Sequence, residues 1–379
     1  MSRHPSTVKT KLKERALKTR AKTPQPRHLK TTVAQTIGAI DLHFHGAFGI
    51  DLMSASPQDL DELSLHLWRS GIAGFCPTTL SASPRQLGQT VQSLGKWIRS
   101  GSFPGAHPLG IHLEGPWINS ERRGAHPARH IRPWNPDELE QLWELSQNTI
   151  KIITLAPELL SPQQLQWLVK WTQKRQILLS AGHSGATQAQ AQRAFKAGIQ
   201  GVTHSWNAMS YHHREAGIMG AALGCKDIYL ELIIDQVHLS REWIRWTRQL
   251  HPSDSVCLIS DCVSPTGLNH STHRSSPWFQ FGDLAVQLKQ GASRLKNGHL
   301  AGGGRLLTQS YCNWVKAEAK DLNCNPSEIL KNSVHQLTTV PTQILGISSK
   351  TLSDRQVLWT LDHTQTLAVI PIDSSSIKR

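Results

Sequence analysis

The chain has 379 residues, 38% of them hydrophobic, and a formal net charge of +14, enough for an α/β barrel of about 250 residues with appendages around a sizeable core. It holds no run of about 18 apolar residues and no apolar secretory core at its N-terminus, so neither membrane insertion nor export is expected, and a cytoplasmic protein is. Six cysteines (76, 225, 257, 262, 312 and 324) form no CxxC pair, the pattern of reduced structural thiols.

Most of the positive charge sits in one place. Within residues 1–30, Arg3, Lys9, Lys11, Lys13, Arg15, Lys18, Arg20, Lys22, Arg27 and Lys30 stand against Glu14 alone. A stretch so poor in apolar residues, ending in Pro24 and Pro26, reads as a solvated, disordered arm over residues 1–35. A weak polyanion or membrane-surface contact, or an organelle transit segment, is the alternative. Because the excess is confined to this arm, a nucleic-acid partner is not expected.

Beyond the arm, strand-like runs fall at 39–46, 71–78, 108–115, 149–157, 176–184, 199–206, 228–235 and 256–262. Between them lie helical segments with clear openings: Ser56-Pro57-Gln58-Asp59, Ser83-Pro84, Asn135-Pro136-Asp137-Glu138 and Ser161-Pro162 each place a capping side chain before a first-turn proline. Eight apolar strands alternating with helices predict an α/β fold, a (β/α)8 TIM-type barrel over residues 36–345. A doubly wound open sheet is the alternative, and it would not bring groups from strands one, three, five, six and eight to one point. A polar stretch at 266–298 interrupts the rhythm. Its alternating runs Trp278-Phe279-Gln280-Phe281 and Leu284-Ala285-Val286-Gln287-Leu288 predict a hairpin or lid-like insertion. Helices near 305–319 and 326–340 and a strand at 356–371 complete the chain.

Five of the strand-like runs end in a group able to bind a cation or move a proton. His43 and His45, two apart on one strand, project from the same face and suit one cation, although hydrogen-bonded lumen histidines would read the same way. Glu114, in His112-Leu113-Glu114-Gly115-Pro116-Trp117, sits where Gly-Pro forces a turn, and a carboxylate there calls for a cation or a basic partner. With His183 and His204 it makes a two-His, one-carboxylate set, a common open hydrolytic site. Asp261, closing Leu258-Ile259-Ser260-Asp261, suits a general acid/base beside a cation, with a structural ion pair as the alternative.

The strings HLEGPWIN, RGAHP, GHSGAT, GVTHSWNAM, HHREAG and LAGG occur in that order, and over roughly residues 38–345 the chain resembles N-acetylglucosamine-6-phosphate deacetylases of the amidohydrolase superfamily. The resemblance implies a homodimeric hydrolase that releases acetate from a phosphorylated amino sugar. One or two divalent cations are implied, zinc foremost with iron or another metal as alternatives. It assigns Glu114, His183 and His204 to the metal found throughout the family and His43 and His45 to a second, with Asp261 as acid/base and His126 polarising the acetamide carbonyl. Ala125 and the stretch Leu300, Ala301, Gly302 would bind the sugar. Asn207 and Ala208, through backbone amides, together with Arg214 and His238, would hold its phosphate. Three departures stand out: Gln236 replaces a family glycine, LAGG replaces LAGS, and the arm occupies the place of an N-terminal β segment. A small β domain is therefore expected to be reduced or absent, with 346–379 as its remnant. Another amidohydrolase acting on an unphosphorylated substrate, or a weakened relative serving as a scaffold, remains the rival reading.

Overall fold

A computed structural model describes residues 30–268 and 277–372. The expectation of a disordered arm therefore falls, for residues 1–29, outside the described residues, as does part of the insertion.

Eight parallel strands curl into a barrel: Ala39–Phe44, Ile72–Pro77, Ile111–Glu114, Ile150–Leu155, Leu178–Ala181, Gly201–Val202, Tyr229–Ile233 and Val256–Ile259. The third to eighth form a continuous ladder. A bridge from Thr78 to His112 joins the second strand to the third, and one from Phe44 to Cys262 returns the eighth to the first. The strands are apolar because both faces are covered: Ile40, Leu42, Phe75, Leu113, Ile152, Leu232 and Leu258 are fully buried. The sixth strand is shorter than the expected 199–206, because the backbone leaves the ladder after Val202 and turns through positive φ at His204 and Trp206.

All four expected helix openings form. Ser56 accepts from the Asp59 amide while the Asp59 carboxylate accepts from the Ser56 amide, a reciprocal cap at the head of helix Pro57–Arg69. Ser83, Asn135 and Ser161 likewise cap Pro84–Ser100, Pro136–Leu145 and Pro162–Gln173. The single helix expected at 326–340 is instead broken into Pro326–Lys331, a 3-10 turn Val334–Leu337 and Thr339–Ile344. Pro341 sits in the first turn of the last of these, where its missing N–H leaves no helical bond unmade.

The insertion folds as a four-stranded antiparallel sheet, Phe279–Phe281, Leu284–Lys289, Ala292–Leu295 and Leu300–Gly303. The two alternating runs pair as a hairpin, Phe279 opposite Val286 and Phe281 opposite Leu284. Gly303 bridges Cys262, which ties this sheet to the end of the eighth barrel strand.

A small β domain is present, as one three-stranded sheet. Its middle strand, Gln356–Leu361, pairs with Leu367–Pro371 and with Thr31–Ile37. The region expected as a single strand at 356–371 is thus a hairpin, and Thr31–Gln35, assigned from sequence to the arm, belong to a strand. That segment is rich in β-branched residues, and its Thr36 hydroxyl accepts from the buried Trp359 indole at 2.9 Å. Among the described residues no helix is long and apolar enough to cross a membrane.

Candidate active site

The carboxyl ends of the barrel strands converge on Glu114. Its Oε1 lies 3.1 Å from His183 Nε2, 3.1 Å from His204 Nε2 and 3.4 Å from His43 Nε2. Its Oε2 lies 3.3 Å from His45 Nε2 and 3.1 Å from His126 Nε2. The histidines also crowd one another, His43 and His45 at 3.2 Å between Nε2 atoms and His183 and His204 at 3.0 Å. Asp261 Oδ1 completes the cluster, 3.5 Å from His43 Nε2 and 3.4 Å from His45 Nε2.

Burial alone would raise the Glu114 carboxyl, but the facing His43 and His126 outweigh it and hold the group well below the usual carboxylate range. Asp261 behaves alike: burial pushes up, and His45 and His43 pull further down. Both are therefore carboxylates. Five ring nitrogens around one carboxylate exceed the acceptor capacity of its two oxygens, and nitrogen lone pairs facing each other at about 3 Å gain from a shared cation. Buried groups able to hold a metal ion include His43 with His45 and Glu114, and Glu114 with His126 and His183. The donor set of imidazoles and carboxylates fits a divalent metal.

His183, His204 and Asp261 all have positive φ, at 47°, 31° and 52°. Left-handed backbone at non-glycine residues is strained and concentrates at functional sites. Asp261 is pinned there by its amide, which donates to the His43 carbonyl at 3.0 Å, and by its carbonyl, which accepts from Gly303. Gly302 permits this close approach: a Cβ there would meet the Asp261 carbonyl at 2.6 Å.

A cavity of about 220 Å³ opens over the cluster. His45, Glu114, His126, His183, His204 and Asp261 line its floor, and Ala125, Asn207, Ala208, His238, Leu300, Ala301 and Gly302 line its walls. His43 lies behind His45, fully buried. His126 has a defined tautomer, because the Ser81 amide donates to its Nδ1 at 3.2 Å, so the neutral ring carries its proton on Nε2, toward Glu114 and the cavity. Burial pulls its pKa to about 4. His238 is braced by Asp235, whose carboxylate accepts from the His238 ring at 2.7 Å and from the Val237 and His238 amides. Gln236, at the family's glycine position, takes the left-handed φ of 63° that a glycine would favour.

Two of the expected phosphate contacts are less directly placed than the rest. Arg214 is exposed on a short turn bridged by His212 and Glu215 and does not line the cavity, because the chain after Ala208 runs outward. The Asn207 amide closes a turn onto the His204 carbonyl at 2.9 Å, which leaves Ala208 as the nearer candidate for an amide offered to a ligand. Sequence reasoning also passed over Leu80 and Phe281, which line the cavity, and Glu231, which bonds His43 from behind. Phe281 lies edge-on to His45, ring centroids 5.2 Å apart. Its alternating run was legible as a strand, but nothing in it pointed to the site. Glu231 did leave a signal, a lone carboxylate inside the apolar run Tyr229-Leu230-Glu231-Leu232-Ile233.

No protein-family model matches the chain. Among characterised proteins it is 30% identical over 346 residues to N-acetylgalactosamine-6-phosphate deacetylase of Escherichia coli O157:H7, covering 88% of this chain and 82% of that one. It is 33% identical over 289 residues to N-acetylglucosamine-6-phosphate deacetylase of Bacillus subtilis, covering 73% and 71%. The crystal structure of the Thermotoga maritima N-acetylglucosamine-6-phosphate deacetylase superposes with a TM-score of 0.73 at 33% identity, over 89% of this chain and 87% of that one. A substituted Mycobacterium smegmatis enzyme in complex with N-acetyl-D-glucosamine-6-phosphate superposes with a TM-score of 0.77 at 25% identity, over 88% and 84%. On identity, coverage and fold together, this chain belongs to the N-acetylglucosamine-6-phosphate deacetylase family of metal-dependent hydrolases.

Proposed function

We propose that the protein hydrolyses the acetamide of N-acetylglucosamine 6-phosphate, giving glucosamine 6-phosphate and acetate. The observation that carries this reading is the convergence of four imidazoles and two carboxylates on the floor of one cavity, with His43 buried behind them, in a chain whose relatives bear that name. Glu114, His183 and His204 would hold one divalent cation, and His43 and His45, with Glu114, a second. Zinc is the foremost candidate for a set dominated by imidazole. Such a cation polarises an amide carbonyl and lowers the pKa of water.

The protein's own groups do the rest. His126, with its proton on Nε2, donates to the acetamide oxygen as negative charge develops there. Asp261, ionised at the cavity floor, takes the proton of the attacking water and returns it to the departing nitrogen, without which an amine is a poor leaving group. Ala125, Leu300, Ala301 and Gly302 present backbone and small side chains to the sugar. His238, held by Asp235, and the Ala208 amide face the phosphate. The proposed assembly is a cytoplasmic homodimer, which light scattering on the purified protein would check.

The decisive experiment measures acetate release from N-acetylglucosamine 6-phosphate, its galacto epimer and unphosphorylated N-acetylglucosamine, on the parent and on Arg214→Met. The phosphorylated gluco sugar is expected to be preferred by a large factor, since a site built around an anion penalises the analogue lacking it. A loss confined to phosphorylated sugars would put the Arg214 guanidinium on the phosphate despite its exposed position. Equal rates on the plain and phosphorylated sugars would mean an amidohydrolase of another specificity, and preference for the epimer would reassign the sugar.

A further inference from the structure

Below the cavity floor, Glu231 on the seventh barrel strand is fully buried. Its Oε2 lies 3.2 Å from His43 Nδ1 and accepts from the His204 main-chain amide, also at 3.2 Å, while Oε1 has no partner among the described residues. The Glu231 carbonyl accepts from the Ser205 amide at 2.8 Å. One side chain thus touches a residue from each of the two ligand groups, and neither contact reaches the cavity. A buried carboxylate with an orphaned oxygen is costly to keep, so its presence calls for a role that a shorter or apolar residue would not fill.

A third cation shared by His43, His112 and Glu231 is one candidate for that role, since the three sit close together. The hydrogen bonds of His112 argue against it. Its Nδ1 lies 2.9 Å from the Leu42 carbonyl, which can only accept, so that nitrogen carries the proton. Its Nε2 then accepts from the Thr154 hydroxyl at 2.7 Å. Both ring nitrogens are spent, and His112 has no lone pair left for a metal.

We propose instead that Glu231 is a positioning residue that fixes the tautomer and aim of His43, its second contact, to the His204 amide, serving to anchor the carboxylate. With Oε2 accepting from Nδ1–H, the His43 lone pair is forced onto Nε2, the atom that faces His45, Glu114 and Asp261. A carboxylate behind a ligating imidazole also raises its basicity, and loss of such a partner typically costs 10–100-fold in metal affinity. The inference rests on the metal-site reading above.

The test is a cation-affinity cycle on the full chain. Apo protein is titrated with Zn²⁺ against a competing chelator for the parent, Glu231→Gln, His43→Gln and the double variant. Glu231→Gln is expected to weaken the more labile cation about 10–100-fold and to have little further effect once His43 is already Gln, the non-additivity expected of residues acting through one contact. Equal losses in both backgrounds, or parental affinity in Glu231→Gln, would overturn the inference. If the Gln variant does not fold, Glu231→Asp, which keeps the charge and withdraws the oxygen by one methylene, carries the same cycle with the same outcomes. A parent that binds no cation would instead sink the metal-site reading itself, and the two failures are told apart by that measurement.

Discussion

Asp261 is the proposed acid/base, and its backbone is as constrained as its side chain. Its left-handed φ is clamped by the His43 carbonyl on one side and Gly303 on the other, so Asp261→Asn should leave its position unchanged while removing a group that can accept a proton. Turnover is expected to fall by about 10²–10⁴-fold with cation content unchanged by metal analysis; acetate release within a few-fold of the parent would remove the acid/base role. Gln236 offers a test of strain without chemistry. At φ 63° it sits where only glycine is at ease, and Gln236→Gly should raise stability by about 0.5–1 kcal/mol, the left-handed penalty less the added entropy of the unfolded chain. A lower urea midpoint would contradict this. His183, His204 and Asp261 were readable from sequence because each ends an apolar run with a polar group. Their strained backbone was not, since none is a glycine or asparagine to announce it. Arg214 shows the opposite limit: a motif carried its identity, and only the turn around it decides where the guanidinium points.

At the scale of elements, the helix openings were plain because capping is local: Ser56 with Asp59 and Ser161 with Gln164 satisfy each other within one turn. The N-terminal strand was hidden because its meaning is non-local. Thr31–Ile37 become a strand only by pairing with Gln356–Leu361, Thr31 opposite Leu361 and Ile37 opposite Gln356. The basic run just upstream disguised the strand's first five residues, 31–35, as more of the same arm. This pairing sets a boundary for truncation. A chain beginning at Lys30 should keep its catalytic efficiency, because the truncation spares the Thr31–Ile37 strand and every residue that lines the cavity. One beginning at Gly38 strips the cover from the buried Trp359 and leaves Gln356–Leu361 as an unpaired edge. Its thermal midpoint should drop by at least about 2–4 °C, the shift expected for each kcal/mol in a domain of some 200 residues, and it should aggregate sooner on heating. An unchanged midpoint would mean that the small sheet does nothing for the barrel.

For the whole molecule, the site is where distant parts of the barrel come to depend on each other. His43 comes from the first strand and His45 from just beyond it, Glu114 from the third, His183 and His204 from the turns after the fifth and sixth, and Asp261 from just beyond the eighth. Without a cation, this crowd of ring nitrogens around Glu114 must be satisfied by that carboxylate and by one another. A ligand that binds only the folded barrel stabilises it by RT ln(1 + [L]/Kd), about 2.7 kcal/mol at one hundred times Kd. Chelation should therefore abolish acetate release and lower the thermal midpoint together, and readdition of Zn²⁺ should restore both. Two positions are expected, so substituting His43 and His45 together with Gln should remove one equivalent of metal and only part of the stabilisation, leaving the ion held by Glu114, His183 and His204. An unchanged stoichiometry in that variant would return the His43–His45 pair to the barrel core as structural residues. A midpoint indifferent to chelation, in protein shown by metal analysis to have lost its ions, would mean that the barrel closes around these side chains without help from a cation.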